Sequence, residues 1–181
     1  MTDMQPKSRT AVLNAAFEVL SAKPAATLAE IAIQANVGRA TLHRHFRSRE
    51  ELLDALTRQA IEELNAAVEE ATRDAHSHSE GLRLMLEAVI PLGARHWFLV
   101  FDPAEHEPDI SELLRRVQEA LRVEIDLARG EGLFDADMPT EWIVQAIDGL
   151  IYAAWTMIRR EEATSKQAAA LAWRTLTGAM H

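Results

Sequence analysis

The chain has 181 residues, 48% of them hydrophobic, with no cysteine and a formal net charge of −9. Zero cysteine rules out disulfides and thiolate metal sites, and the length supports one or two modest domains with a real core. The start, MTDMQPKSRT, lacks the apolar run of a signal peptide. The longest apolar stretch, around Gly149–Ile158, falls short of the about 18–20 residues that span a bilayer. A soluble, cytoplasmic protein without a membrane partner is expected.

The acidic sum hides a basic start. Residues 1–60 hold eight Lys/Arg against six Asp/Glu, and the remainder eleven against twenty-two. Between Asn36 and Arg49 stand four arginines and no acid. Screening confines exposed charge to about 8–10 Å at ordinary salt, so this local balance decides what the segment meets.

In chain order, Val12, Leu13, Ala16, Phe17 and Leu20 follow the i, i+3, i+4 rhythm of a first helix. Thr27 and Glu30 form a T-x-x-E capping box opening a second, with Leu28, Ile31 and Ala32 on its apolar face. Asn36-Val37-Gly38 breaks that helix, because Asn and Gly tolerate the left-handed backbone of a sharp turn. Arg39 to His45 is a third helix, anchored by Leu42 and then Phe46, with Arg39, Ala40, His43 and Arg44 left facing outward. A helix this short buries little, so exposed cations on it need another reason. An α-helix fits the major groove of DNA, and helix-turn-helix proteins present such a helix to base edges.

Ser48-Arg49-Glu50-Glu51 is a second capping box, opening an amphipathic run through Leu52, Leu53 and Leu56. That helix continues through Ala60, Leu64 and Val68 to about Arg73, bridging both regions of the chain. Asp74–Ser79 is a polar loop, in which His76 and His78 read as solvated side chains. Gly81–Phe101 is apolar and helical, with Pro91 and Gly93 placed to interrupt it. Ile110–Arg129 is amphipathic and stops at Gly130 and Gly132. Two further helices, 139–160 and 165–179, are greasy on more than one face, which predicts that they pack against a second copy.

The stretch from about Arg9 to Leu56 resembles the N-terminal DNA-binding domain of TetR-family transcriptional regulators. The likeness is densest in VGRATLHRHFRSREELL, which is similar to that family's V-[S]-x-x-T-[LI]-Y-x-[HY]-F-x-[ST]-K-E-x-L-L. Gly38 stands where Ser is frequent, His43 where Tyr is usual, and Arg49 where Lys is usual. The resemblance implies an all-α protein: a three-helix helix-turn-helix bundle over residues 1–48, then an effector-binding and dimerisation domain over 49–181. It also implies a homodimer joined through helices 139–160 and 165–179, reading a palindromic operator and released by a ligand. Arg39, Ala40 and Arg44 are the candidates for base edges. Thr27, Thr41, His43, His45 and Arg49 are the candidates for phosphates.

Other constellations are weaker. His43 and His45 are two apart on a helix and point to opposite sides, so they do not share a metal. Trp97, Phe98, Phe101, Trp142, Tyr152 and Trp155 either pack the core or line an apolar effector cavity. Gln145, Asp148 and Tyr152 share a stripe with Glu141 and Thr156 that faces either solvent or a ligand; facing inward, Asp148 would favour a cation. No G-x-S-x-G elbow, phosphate loop or H-E-x-x-H motif is present. Gly130-Glu131-Gly132 reads as a helix stop. Neither an enzyme, a cofactor nor a metal is expected. The alternative reading is a non-enzymatic helical adaptor that has no operator.

Overall fold

A computed structural model describes residues 5–96 and 108–179. Among them the chain is helical throughout, without strands: α1 Gln5–Ala22, α2 Leu28–Gln34, α3 Arg39–His45, α4 Arg49–Thr72, α5 His78–Val89, α6 Gly93–His96, α7 Pro108–Gly130, α8 Thr140–Arg159 and α9 Ser165–Ala179. No helix among the described residues is long and apolar enough to cross a membrane. Two compact units emerge, one of residues 1–61 and 95–111, the other of 62–94 and 112–181.

The first unit is built around the apolar rows read from the sequence. Val12, Leu13, Ala16, Phe17 and Leu20 of α1 meet Ile31 and Ala32 of α2, Leu42 of α3, Phe46, and Leu52, Leu56 and Ala60 of α4. Burying side chains of this size contributes about 1.5–3 kcal/mol each before chain entropy is charged. Arg95 and His96 close over α1. The His96 ring meets Phe17 edge-on at 5.7 Å, the Arg95 guanidinium stacks 4.1 Å over the same ring, and Ser21 Oγ donates to the Arg95 carbonyl at 3.1 Å.

In the second unit, Leu82, Leu86, Ile125, Phe134, Ile143, Ile147, Ala154, Ala168, Ala172 and Leu176 form the core. α7 ends in a left-handed turn, with Gly132 at φ 85° and the Leu133 amide donating to Ala128. α9 starts with a reciprocal cap: the Gln167 amide donates to Thr164 Oγ1, and the Thr164 amide to Gln167 Oε1.

The expectation of a loop to Ser79 needs correction. α5 already begins at His78, because Ser77 caps it by accepting the Glu80 amide, and Glu131 in the turn after α7 accepts the amides of His78 and Ser79 at 2.8 Å. His78 is therefore not a solvated loop side chain; its Nδ1 lies 3.0 Å from a Glu124 carboxylate oxygen. His76, by contrast, is exposed.

Pro91 interrupts as expected: α5 stops at Val89 and Ile90–Leu92 forms one tight 3₁₀ turn. Gly93 then allows Trp155 of α8 to lie directly on the backbone. A Cβ at Gly93 would stand 2.0 Å from Trp155 Cδ1. Gly93→Ala should thus destabilise the protein by about 1–3 kcal/mol, as overpacked cores do, whereas Ala at the open position Gly178 should not. Urea midpoints of the two variants check this.

Candidate nucleic-acid interface

Local chemistry delivers α3 to the surface. Thr27 Oγ1 accepts the Glu30 amide at 3.3 Å, and the Glu30 carboxylate accepts the Thr27 amide at 2.7 Å, closing the capping box at the start of α2. A 2.6 Å hydrogen bond from Lys23, then the bond from the Thr27 amide, lower the Glu30 carboxyl to about 2. Asn36, at φ 51°, turns the chain left-handed, and the Val37 amide returns to the Ala32 carbonyl. Gly38 opens α3 without a side-chain cap.

Leu42 and Phe46 are each 1% exposed, and they set the rotation of α3 about its axis. Arg39, Ala40, His43 and Arg44 are left exposed, Thr41 half-buried. Among the described residues, the side chains of Arg39, His43 and Arg44 make no hydrogen bond or ion pair. Arg58, Arg83, Arg115, Arg116, Arg122 and Arg129, by contrast, are all ion-paired.

The other expected contact residues sit differently. The Thr27 hydroxyl is spent on Glu30. His45 Nε2 and Ser8 Oγ hydrogen-bond at 2.7 Å, tying α3 to α1. The Arg49 guanidinium donates to the carbonyls of Pro24 (2.6 Å) and Ala26. Arg47, which sequence reasoning passed over, is exposed and its side chain makes no bond to a described residue. Its place one residue before the Ser48 cap was the available signal.

The anticipated effector residues are not brought together. Trp97, Phe98 and Phe101 fall outside the described residues. Trp142 (64% exposed), Gln145, Asp148 and Tyr152 (49%) stand on the outer face of α8, as Glu141 does, while Trp155 is buried against Gly93. Partial desolvation holds the Asp148 carboxyl above its ordinary value. A shallow groove of about 110 Å³ between α2 and α3, lined by Leu28, Ala32, Arg39, Leu42 and His43, is too small for a drug-sized ligand. An open cleft of about 360 Å³ lies between the end of α8 and α9, beside Met157, Leu171 and Arg174. No group of three metal-ligating side chains occurs among the described residues.

Residues 12–56 match the family model of bacterial regulatory proteins of the tetR family. That match is confined to the helix-turn-helix segment. The chain is 38% identical over 98 residues to the HTH-type transcriptional repressor LfrR of Mycolicibacterium smegmatis, a match covering 54% of this chain and 52% of that repressor; the alignment thus spans about half the curated relative. A crystal structure of the TetR-like regulator LfrR in complex with proflavine superposes with a TM-score of 0.80 at 27% identity, over 97% of both chains. The ketosteroid regulator KstR2 of Mycobacterium tuberculosis shares the fold, with a TM-score of 0.73 at 18% identity over 95% of this chain and 94% of its own.

Within this TetR-family domain the Thr27–Glu30 box titrates at low pH. Its folded carboxyl lies below the ordinary 4.5, so its contribution is full above pH 4.5 and fades as pH falls toward 2. The stability gap between wild type and Glu30→Gln should therefore narrow as the pH drops from 4.5 to 2, read as urea midpoints by circular dichroism. A gap that stays constant through that window would contradict the assignment.

Proposed function

We propose that the protein is a sequence-specific DNA-binding transcriptional repressor, acting as a homodimer on a palindromic operator and released by a small-molecule effector. One observation supports this above the rest: three cationic or protonatable side chains, Arg39, His43 and Arg44, stand on one face of a short, firmly anchored helix with no partner among the described residues. That face matches what a major groove requires. Arginine offers two parallel donors to a guanine edge, and the small Ala40 between the arginines admits the helix closely, where its methyl can meet a thymine methyl. Thr41 and His43 flank those positions and would bind phosphate, which fixes register without reading sequence.

Residues 1–48 would form the DNA-binding domain and 49–181 the effector-binding and dimerisation domain. The exposed face of α8, with Trp142, Gln145, Asp148 and Tyr152, would be covered together with α9 by a second copy of the chain. That placement gives the two exposed aromatics a partner. Because LfrR has been crystallised with proflavine, a planar aromatic compound is the effector class carried over. α4 is one continuous helix with residues in both compact units, and so offers a covalent route between ligand and operator.

Selection of bound duplexes from a random pool, followed by affinity measurements across salt, tests this reading. Affinity for the selected duplex should fall steeply as salt rises, by counterion release. Arg44→Ala should cost about 1–3 kcal/mol on that duplex and little on random DNA. An equal loss on both would assign Arg44 to phosphate. Absence of salt-sensitive DNA binding would favour a protein-interaction adaptor instead.

A further inference from the structure

The family pattern puts a cation at the start of α4, and in this chain two arginines flank the cap residue Ser48. The structure gives them opposite surroundings. Arg49 is half-buried and both terminal nitrogens of its guanidinium are engaged, one by the Pro24 carbonyl and one by the Ala26 carbonyl. Those carbonyls belong to the segment after α1 that delivers Thr27, the cap of α2. A planar fork closing on two carbonyls is a geometric clamp that a lysine point charge does not reproduce. Arg47, two residues earlier, is exposed, and its side chain has no partner among the described residues.

The helix end between them is already satisfied. Ser48 Oγ accepts the Glu51 amide at 3.2 Å, and the Glu51 carboxylate accepts the Arg47 amide at 2.7 Å. With its own carboxylates at the first turn, this helix start does not invite a phosphate directly. The Arg47 side chain, however, leaves the chain just ahead of that turn, three residues beyond the exposed Arg44 of α3. It is thereby placed to extend the unpaired cationic face by one more charge.

From these surroundings, and resting on the DNA-binding reading above, we infer that Arg47 is the phosphate-contacting cation at this end of the helix-turn-helix unit, while Arg49 is a positioning residue that clamps the entry of α2. The two roles separate in measurement. A phosphate contact contributes to the slope of log affinity against log salt on any sequence, whereas a clamp acts on how well the reading helix is placed.

The test compares the full-length wild type with Arg47→Gln, Arg49→Gln and Arg49→Lys on a selected duplex and on random duplex across salt, with folding checked by circular dichroism. Arg47→Gln should reduce the slope by about 0.9 and weaken both duplexes alike. Both Arg49 variants should keep the wild-type slope yet lose about tenfold in preference for the selected duplex, the scale of one charge-assisted hydrogen bond. Lysine should fail to rescue. Should Arg49→Gln unfold, the Arg49→Lys and Arg47→Gln arms still decide. A slope lowered by Arg49→Gln, fully restored by Arg49→Lys and untouched by Arg47→Gln, overturns the inference while leaving the DNA-binding reading intact. A wild type without salt-dependent DNA affinity overturns both.

Discussion

Leu42 and Phe46 determine which way α3 faces. Both side chains are buried among α1 and α4 residues, so the helix has one rotation that keeps them dry. Turning it by one residue position, about a quarter of a circle, would expose a leucine or a phenylalanine at about 1.5–3 kcal/mol. That constraint alone sets Arg39, Ala40, His43 and Arg44 in solvent as a group. The turn at Asn36, the Thr27 cap and the Ser8–His45 bond serve the same end, since each fixes one boundary of a helix too short to hold itself.

Charge then separates surface from site. Exposed ion pairs such as Arg83 with Glu87, or Arg115 and Arg116 with Glu112, contribute little stability, but they neutralise the fields of their members locally. The arginines of α3 have no such partners among the described residues, so their field reaches outward in a protein whose total charge is strongly negative. The acidic remainder favours approach to a polyanion through this one face.

Much of this was legible in the sequence because it is local. The T-x-x-E cap, the Asn36 turn, the apolar spacing along α1 and α4, and the Pro91 interruption all act within a few residues of their cause. What the sequence could not disclose comes from contacts between distant segments. Arg49 reaches the carbonyls of Pro24 and Ala26, some two dozen positions back, and Glu131 caps α5 from more than fifty residues away. No period or motif signals either bond. For the same reason nothing in the local sequence distinguishes the engaged guanidinium of Arg49 from the exposed one of Arg47. The α8 stripe was ambiguous on sequence because both of its faces are apolar; coordinates place Trp142 and Tyr152 outside and Ile143, Ile147 and Trp155 inside.

The arginines of α3 are the groups proposed to meet duplex DNA, and side-chain NMR reports on them individually. Titrating a selected duplex into labelled protein, while following the arginine Nε–Hε resonances, should shift and slow Arg39 and Arg44. The ion-paired Arg83, Arg115 and Arg116 should remain where they are. Shifts confined to those paired arginines, with Arg39 and Arg44 unmoved at saturating DNA, would contradict the account.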